Sequence, residues 1–132
     1  MATVSLEKTT DSIPAWDNEL LAQSITAAGG AVYCWDIVAD RMEWSGGAAE
    51  ALGLNHTDVP RQGTQMQRRI APDDLPGRSI ALSRLLDDGT AYACEFKLRR
   101  SDGGFEWIDE RGSIEPDGDG KASRFHGIMR VI

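Results

Sequence analysis

Three consecutive stretches near the C-terminus alternate between apolar and polar side chains, and this alternation constrains the fold more than any other feature. A period of two is typical of β-strands with one buried and one exposed face. Two glycine-containing turns, SDGG at residues 101–104 and DGDG at residues 117–120, separate the stretches. Because such turns join neighbouring antiparallel strands, the pattern predicts a three-stranded meander over residues 92–99, 105–114 and 122–132. The inward-facing side chains of its first strand are predicted to be Tyr92, Cys94, Phe96 and Leu98.

The DGDG turn also has the beginning of a calcium-loop pattern. An EF-hand loop places oxygen ligands at alternate positions and a glutamate at its twelfth position. Asp117 and Asp119 fit the first two ligand positions, but Lys121 stands at the third and Ile128 at the position of the glutamate. A lysine places a cation where a carboxylate has to bind the metal. The aspartates are therefore interpreted as turn-forming residues, and no metal site is predicted.

Upstream of the meander, the sequence predicts a β-hairpin and then helices. Residues 31–38 are rich in β-branched and aromatic side chains, and residues 41–45 alternate in polarity, which is typical of two paired strands. A short helix is predicted over residues 48–52, and a loop over residues 55–63, where a proline and a glycine interrupt regular structure.

The longest helix of the body is predicted to begin near Asp73 or Asp74, with Pro76 in its first turn, and to end at Gly89. The side chains of its predicted apolar stripe are Ile80, Leu82, Leu85 and Leu86. Together these segments predict an α+β fold, in which helices pack on one face of a five-stranded antiparallel sheet.

The N-terminal segment divides into two parts. Residues 1–15 are mostly polar and are predicted to be flexible, whereas residues 16–30 have the periodicity of a short amphipathic helix that Gly29 and Gly30 end. This flanking helix has two interpretations, since it can fold over its own sheet or pair with the same helix of a second copy. Its apolar stripe, which is the candidate dimer interface, is Trp16, Leu20, Leu21 and Ile25.

Composition excludes several classes of function. The 132 residues fit one domain, and the net charge of −7 argues against nucleic-acid binding, which needs a cationic face. No run of about 18 apolar residues is present, so no membrane span is predicted. Two cysteines sixty positions apart, Cys34 and Cys94, are interpreted as reduced core thiols of a cytoplasmic protein.

Seven short motifs, in a fixed order, are similar to those of one family, and the chain resembles the PAS domains of bacterial signalling proteins over residues 27–132. The motifs are Trp35-Asp36, Trp44-Ser45, Leu52-Gly53, Pro72-Asp73-Asp74, the segment of residues 95–100 that leads into Asp102-Gly103, Trp107 with Arg111-Gly112, and Gly127. Two positions depart from the family pattern. Ala71 stands where a histidine is usual, and Val131 and Ile132 stand where the family continues into an Asp-Ile-Thr link to an output domain. This ending suggests a piece of a longer signalling protein.

The resemblance implies a PAS fold over residues 31–132, with a central space between sheet and helices that holds a small ligand or only side chains. Large aromatic side chains fill cores more often than they line ligand sites, so a filled space is expected. The residues predicted to line or fill it are Trp35, Trp44, Leu52, Ile70, Leu82, Leu85, Phe96 and Trp107.

Cofactors and catalysis are not expected. Some PAS domains bind haem through a histidine, which makes His56 a candidate by resemblance, but the compared members carry it in the long helix, and this helix has none. Flavin photochemistry in the light-sensing branch depends on a cysteine at the start of the helical region, and residues 46–53 contain no cysteine, so a covalent flavin adduct is not expected. No serine or cysteine has a histidine and a carboxylate partner in one motif, so the chain is not expected to be an enzyme by itself.

The resemblance thus predicts a sensory or regulatory module that dimerises through the flanking helix and controls a C-terminal output domain absent from this chain. Family habit favours an output in cyclic-di-GMP turnover, by a phosphodiesterase or a diguanylate cyclase. A histidine kinase is one alternative output. Another alternative is a ligand-free docking module that recruits an adaptor or a response regulator.

Overall fold

A computed structural model describes residues 23–132. The five strands are β1 (Gly30–Asp36), β2 (Arg41–Trp44), β3 (Tyr92–Arg99), β4 (Phe105–Pro116) and β5 (Ala122–Val131). Three α-helices lie between β2 and β3, namely α1 (Ala48–Leu52), α2 (Gly63–Arg69) and α3 (Leu75–Asp88). Two single-turn 3-10 helices, His56–Asp58 and Pro72–Asp74, precede α2 and α3.

The strands form one antiparallel sheet in the order β2-β1-β5-β4-β3. The C-terminal meander therefore makes three neighbouring strands, and β1 joins it through β5 in the middle of the sheet. The helices pack on one face, so the predicted α+β fold is confirmed. The core lies between this face and the helices.

Aspartate side chains stabilise the turns that join the strands. In the last turn, Asp117 Oδ1 accepts hydrogen bonds from the backbone N–H groups of Asp119 (2.9 Å) and Lys121 (3.0 Å). In the β3–β4 turn, Asp102 Oδ1 accepts the N–H of Gly104 at 2.8 Å. These contacts are typical of aspartate in turns, and they give Asp117 the turn-forming role that its sequence context predicts.

Two glycines face each other under the aromatic core. Gly112 of β4 pairs with Gly127 of β5. A Cβ at Gly127 would lie 2.5 Å from the Tyr33 ring, and one at Gly112 would lie 2.3 Å from the ring of Phe125. The absence of side chains at both positions therefore makes room for the two rings.

The helical layer differs from the predictions in two respects. The sequence predicts no helix that corresponds to α2. The apolar stripe predicted for α3 is partly wrong, because Ile80 and Leu86 are 55% and 44% exposed, while Leu85 is buried and Leu82 is half-buried. The face of α3 that contacts the sheet is shifted toward Leu75 and Arg78, which lie seven and four residues before Leu82, as the helical repeat requires.

Residues 16–22 of the predicted flanking helix, which include Trp16, Leu20 and Leu21, lie outside the described residues, as does the segment of residues 1–15. Residues 23–27 are helical, and Gly29 has a φ of 84° directly before β1. Ile25 is half-buried, and its Cγ2 would lie 2.6 Å from a Cβ at Gly30. The end of this segment therefore packs closely against the start of the sheet.

Candidate functional site

A carboxylate lies at the centre of the inner sheet face. Glu110 of β4 is fully buried, at 0% exposure. Its Oε1 accepts hydrogen bonds from Arg78 Nε at 2.8 Å and from the Tyr92 hydroxyl, and its Oε2 accepts from Arg78 Nη2 at 3.2 Å and from the Tyr33 hydroxyl. Four donors thus surround one carboxylate. We refer to Tyr33, Arg78, Tyr92 and Glu110 as the central polar cluster.

Arg78 brings the helical layer to this carboxylate. It lies in the first half of α3, is 6% exposed, and forms a two-pronged ion pair with Glu110. Although burial by itself lowers it, the Glu110 carboxylate raises the pKa of Arg78 above its ordinary value. Breaking a buried pair leaves an uncompensated charge in the core, so the two residues depend strongly on each other.

The two tyrosines of the cluster stay neutral and donate. Burial and the neighbouring Glu110 carboxylate raise the pKa of Tyr33 and of Tyr92 well above the ordinary value of 10.0. Tyr33 comes from β1 and Tyr92 from β3, so the cluster connects three strands with α3. This arrangement determines how the helix sits on the sheet.

Aromatic rings surround the polar cluster. The Phe125 ring stacks on Tyr33 with centroids 5.7 Å apart and meets Tyr92 edge-on at 5.4 Å. Trp44 also packs against Tyr33, with ring centroids 4.8 Å apart, and the Arg78 guanidinium lies 5.7 Å from the centroid of the Phe96 ring. These rings keep water away from the charges and strengthen the hydrogen bonds inside the cluster.

Little open space remains beside the cluster. A cavity of about 20 Å³ lies between the sheet and the helices, with Tyr33, Trp35, Arg78, Leu82 and Phe125 among its lining residues. A volume of this size holds about one water molecule. Side chains therefore fill most of the central space.

The residues predicted to line or fill this space fall into two groups. Seven of the eight contribute to the core: Leu52, Ile70, Leu85 and Phe96 are buried, and Trp35, Trp44 and Leu82 are partly buried against them. The prediction is wrong for Trp107, which is 49% exposed. Ile108 and Glu110 take the inward positions of β4, so Trp107 faces outward, where Lys97 Nζ lies 4.7 Å from its ring centroid.

A second polar group anchors Trp35 and the start of α2. Asp40 Oδ1 accepts hydrogen bonds from Trp35 Nε1 at 2.8 Å and from the backbone N–H of Gly63 at 2.7 Å. Although burial by itself raises it, these bonds and those from Thr64 lower the pKa of Asp40 below its ordinary value. The β1–β2 turn is thereby tied to the helical layer.

Sequence reasoning missed the central polar cluster, although two signals for it are present. Glu110 takes an inward position in the alternation of β4, between Ile108 and Gly112. Arg78 lies on the helix face that Leu75, Leu82 and Leu85 define by their spacing. One charged residue on the buried face of each element indicates a buried ion pair, since an unpaired charge there is very costly.

Of the two cysteines, Cys94 lies beside the central polar cluster, where its side chain interacts with Tyr92. Cys34 lies on the outer sheet face, between the inward-facing Tyr33 and Trp35, and is half-buried, which corrects its interpretation as a core thiol. His56 is exposed and lies 3.3 Å from Glu50. Within residues 23–132, no three His, Cys, Asp or Glu side chains are grouped so that they could hold a metal ion. None of the helices that the structure describes is long and apolar enough to cross a membrane.

A single antiparallel sheet in the order β2-β1-β5-β4-β3, with short helices inserted between β2 and β3, defines a class of small α+β domains. The model of the PAS fold family matches residues 41–129, two thirds of the chain, and the chain belongs to this family. The identification made from the sequence motifs is therefore confirmed. No curated protein sequence matches the chain.

Solved structures with the same fold include domains of a histidine kinase and of a diguanylate cyclase. A sensory box histidine kinase/response regulator from Burkholderia thailandensis is 24% identical, with a TM-score of 0.71 over 83% of this chain and 82% of that one. The N-terminal domain of a diguanylate cyclase with a PAS/PAC sensor from Marinobacter aquaeolei is 14% identical, with a TM-score of 0.68 over 77% and 94%. A PAS domain from Colwellia psychrerythraea is 16% identical, with a TM-score of 0.66 over 86% and 95%. These likenesses show that the chain shares the fold of these domains.

Proposed function

We propose that this PAS domain is a regulatory module of a bacterial signalling protein, which dimerises and controls an output domain further along the same polypeptide. Membership of the PAS fold family supports the regulatory role. The filled interior is the observation that supports the proposed mode of action, which is regulation through contacts between proteins. Since about 20 Å³ remain beside the central polar cluster, the module is proposed to act through contacts between proteins, with neither haem nor flavin inside and without catalysis of its own.

The dimer is proposed to form through the flanking helix, with Trp16, Leu20, Leu21 and Ile25 at the interface. Ile25 is half-buried beside Gly30, so a movement of the helix against its partner reaches β1 directly. Tyr33 of the same strand belongs to the central polar cluster. This continuity offers a route from the dimer interface to α3.

The proposed output is cyclic-di-GMP turnover in the cytoplasm, without nucleic-acid or membrane binding by this domain. The similarity to the sensor domain of a diguanylate cyclase supports this choice, and the similarity to a histidine kinase/response regulator supports the alternative. Assays of the full-length protein separate the two. Turnover of cyclic-di-GMP is expected, and autophosphorylation on histidine without such turnover would reject the proposal.

A second candidate function is a docking module that recruits an adaptor or a response regulator. Three large apolar side chains on and beside the outer sheet face favour it, since Phe105, Trp107 and Ile132 are each about half exposed. Exposed apolar patches of this kind mark protein contacts more often than scattered single residues do. Docking predicts that Trp107→Ala abolishes capture of the partner while the mass of the free chain stays the same.

Static light scattering tests the dimer. The mass in solution is expected to be twice 14.4 kDa for the wild type and to fall to 14.4 kDa in Leu20→Asp/Ile25→Asp. Val38→Asp is the matched control, because Val38 is 86% exposed in the β1–β2 turn, and it should leave the mass unchanged. An equal mass for the wild type and the double variant rejects this helix as the interface.

A further inference from the structure

An open depression of about 240 Å³ lies where the 3-10 helix His56–Asp58, the end of α2 and the end of β3 meet. Three arginines contribute to its wall, Arg68, Arg69 and Arg99, although the chain as a whole carries a net charge of −7. Cations placed around one space repel one another. Such an arrangement in an acidic protein therefore indicates a place for a negative charge.

Backbone carbonyl groups hold two of these arginines in position. Arg99 Nη2 donates to the carbonyl oxygen of Arg68 at 3.2 Å, and Arg69 Nε donates to that of Arg99 at 3.2 Å. Arg68 and Arg69 form the last turn of α2, where the helix dipole favours cations. A guanidinium has five N–H donors, so the carbonyl contacts leave most donors for another acceptor.

The cluster is only partly neutralised by the protein. Among the described residues, Asp58 is the one carboxylate that pairs with any of the three arginines, and its Oδ2 lies 3.7 Å from Arg69 Nη2. The same oxygen accepts the Ser101 hydroxyl at 2.6 Å. The Arg69 side chain is only 14% exposed, so its charge is screened less than that of a fully solvated arginine.

We propose that this depression binds an oxyanion of the phosphate class, either inorganic phosphate or the phosphoryl group of a small phosphomonoester. The planar guanidinium matches two phosphate oxygens at once. Thr57 adds an exposed hydroxyl to the wall, and Gln65 adds amide N–H donors, because its Oε1 already accepts the N–H of Arg61 at 2.8 Å. The depression includes no residue of the central polar cluster, so this binding is independent of the filled interior.

Amide NMR shifts of the 132-residue chain, titrated with inorganic phosphate, phosphoserine or AMP at constant ionic strength in sodium chloride, test the proposal. Saturable shifts are expected around Thr57, Arg68 and Arg99. Arg68→Gln and Arg99→Gln should each weaken binding roughly tenfold, the size of one charge-assisted contact. Asp58→Asn should strengthen binding, because it removes the competing carboxylate. Arg84→Gln is the matched control, because Arg84 is exposed on α3 and lies outside the depression, and it should leave the affinity for phosphate unchanged.

The outcomes separate the sources of the anion. Equal affinity for all three probes assigns the site to the free ion, and tighter binding of phosphoserine or AMP assigns it to a carried phosphoryl group. Shifts that rise linearly with all three probes would overturn the proposal. It is also overturned if Arg84→Gln weakens binding as much as Arg99→Gln does, because non-specific attraction then explains the shifts.

Discussion

Replacement of Glu110 by glutamine keeps the size of the side chain but removes the negative charge that Arg78 faces inside the core. Glu110 is 0% exposed and Arg78 is 6% exposed, so water cannot compensate the guanidinium. Removal of one partner of such a buried pair costs about 3–5 kcal/mol. A domain of this size has a total stability of about 5–15 kcal/mol. Glu110→Gln is therefore expected to remove a large share of the free energy of unfolding.

Urea denaturation, followed by tryptophan fluorescence, measures this loss. The double variant Arg78→Met/Glu110→Gln tests its cause, because it removes the unpaired cation and leaves the glutamine as a partner for both tyrosines. It should be more stable than Glu110→Gln alone. Arg84→Met, on the exposed face of the same helix, should change the stability by less than about 0.5 kcal/mol. A cost below about 1 kcal/mol for Glu110→Gln, or a double variant no more stable than Glu110→Gln alone, would refute the reasoning.

Three further predictions concern the core and the outer sheet face. Tyr33 ionises near pH 10 in the unfolded chain but keeps its proton in the folded domain. The free energy of unfolding should therefore fall as the pH rises above about 10, by up to about 1.4 kcal/mol per pH unit for this group. Tyr33→Phe should flatten that slope in urea titrations at several pH values, and an identical slope in the variant contradicts the assignment. Gly127→Ala forces a Cβ to within 2.5 Å of the Tyr33 ring and should cost about 1–3 kcal/mol of stability. The control Gly118→Ala, with no heavy atom within 4 Å of its new Cβ, should cost much less. Equal midpoints of the two variants in thermal melts exclude a close contact at Gly127. Trp107→Ala removes a half-exposed ring that contacts Lys97 and should cost less than about 1 kcal/mol in urea denaturation; a loss of 3 kcal/mol would place this ring in the core.

The sheet was predictable because its signal is local. Alternating residues in the C-terminal third predict β3, β4 and β5, and the turn chemistry of Asp102 and Asp117 defines where these strands end. The short helix α1 also coincides with its predicted residues, 48–52. The helix α2 escaped prediction because only Met66 of its seven residues is buried, which leaves almost no apolar periodicity.

The centre of the candidate site depends on contacts between residues far apart in the chain. Tyr33 and Glu110 are separated by 77 positions, and Arg78 and Glu110 by 32. No short sequence motif indicates a contact between residues so far apart. The prediction of core residues from side-chain size therefore included Trp107 and left out Glu110. The alternation of β4 indicates that Glu110 faces inward, and the spacing on α3 indicates that Arg78 is buried. Only the packed structure brings the two elements together.

The pairing of Asp40 with Trp35 shows how a local pattern gains a second role in the fold. Asp40 lies between the two segments predicted to form a hairpin, and in the structure it is part of the β1–β2 turn, with a φ of 52°. The same carboxylate also receives the N–H of Gly63, 23 positions later. This second contact depends on the position of α2, which the sequence pattern does not predict.

Native mass spectrometry of the purified chain, sprayed from a phosphate-free volatile buffer, tests the central claim most directly, because it reports subunit number and bound molecules together. A dimerising PAS module with a filled interior predicts one main species at twice the 14.4 kDa polypeptide mass, without haem or flavin. A species at the monomer mass, or a dimer that carries one haem or flavin per subunit, would contradict the account.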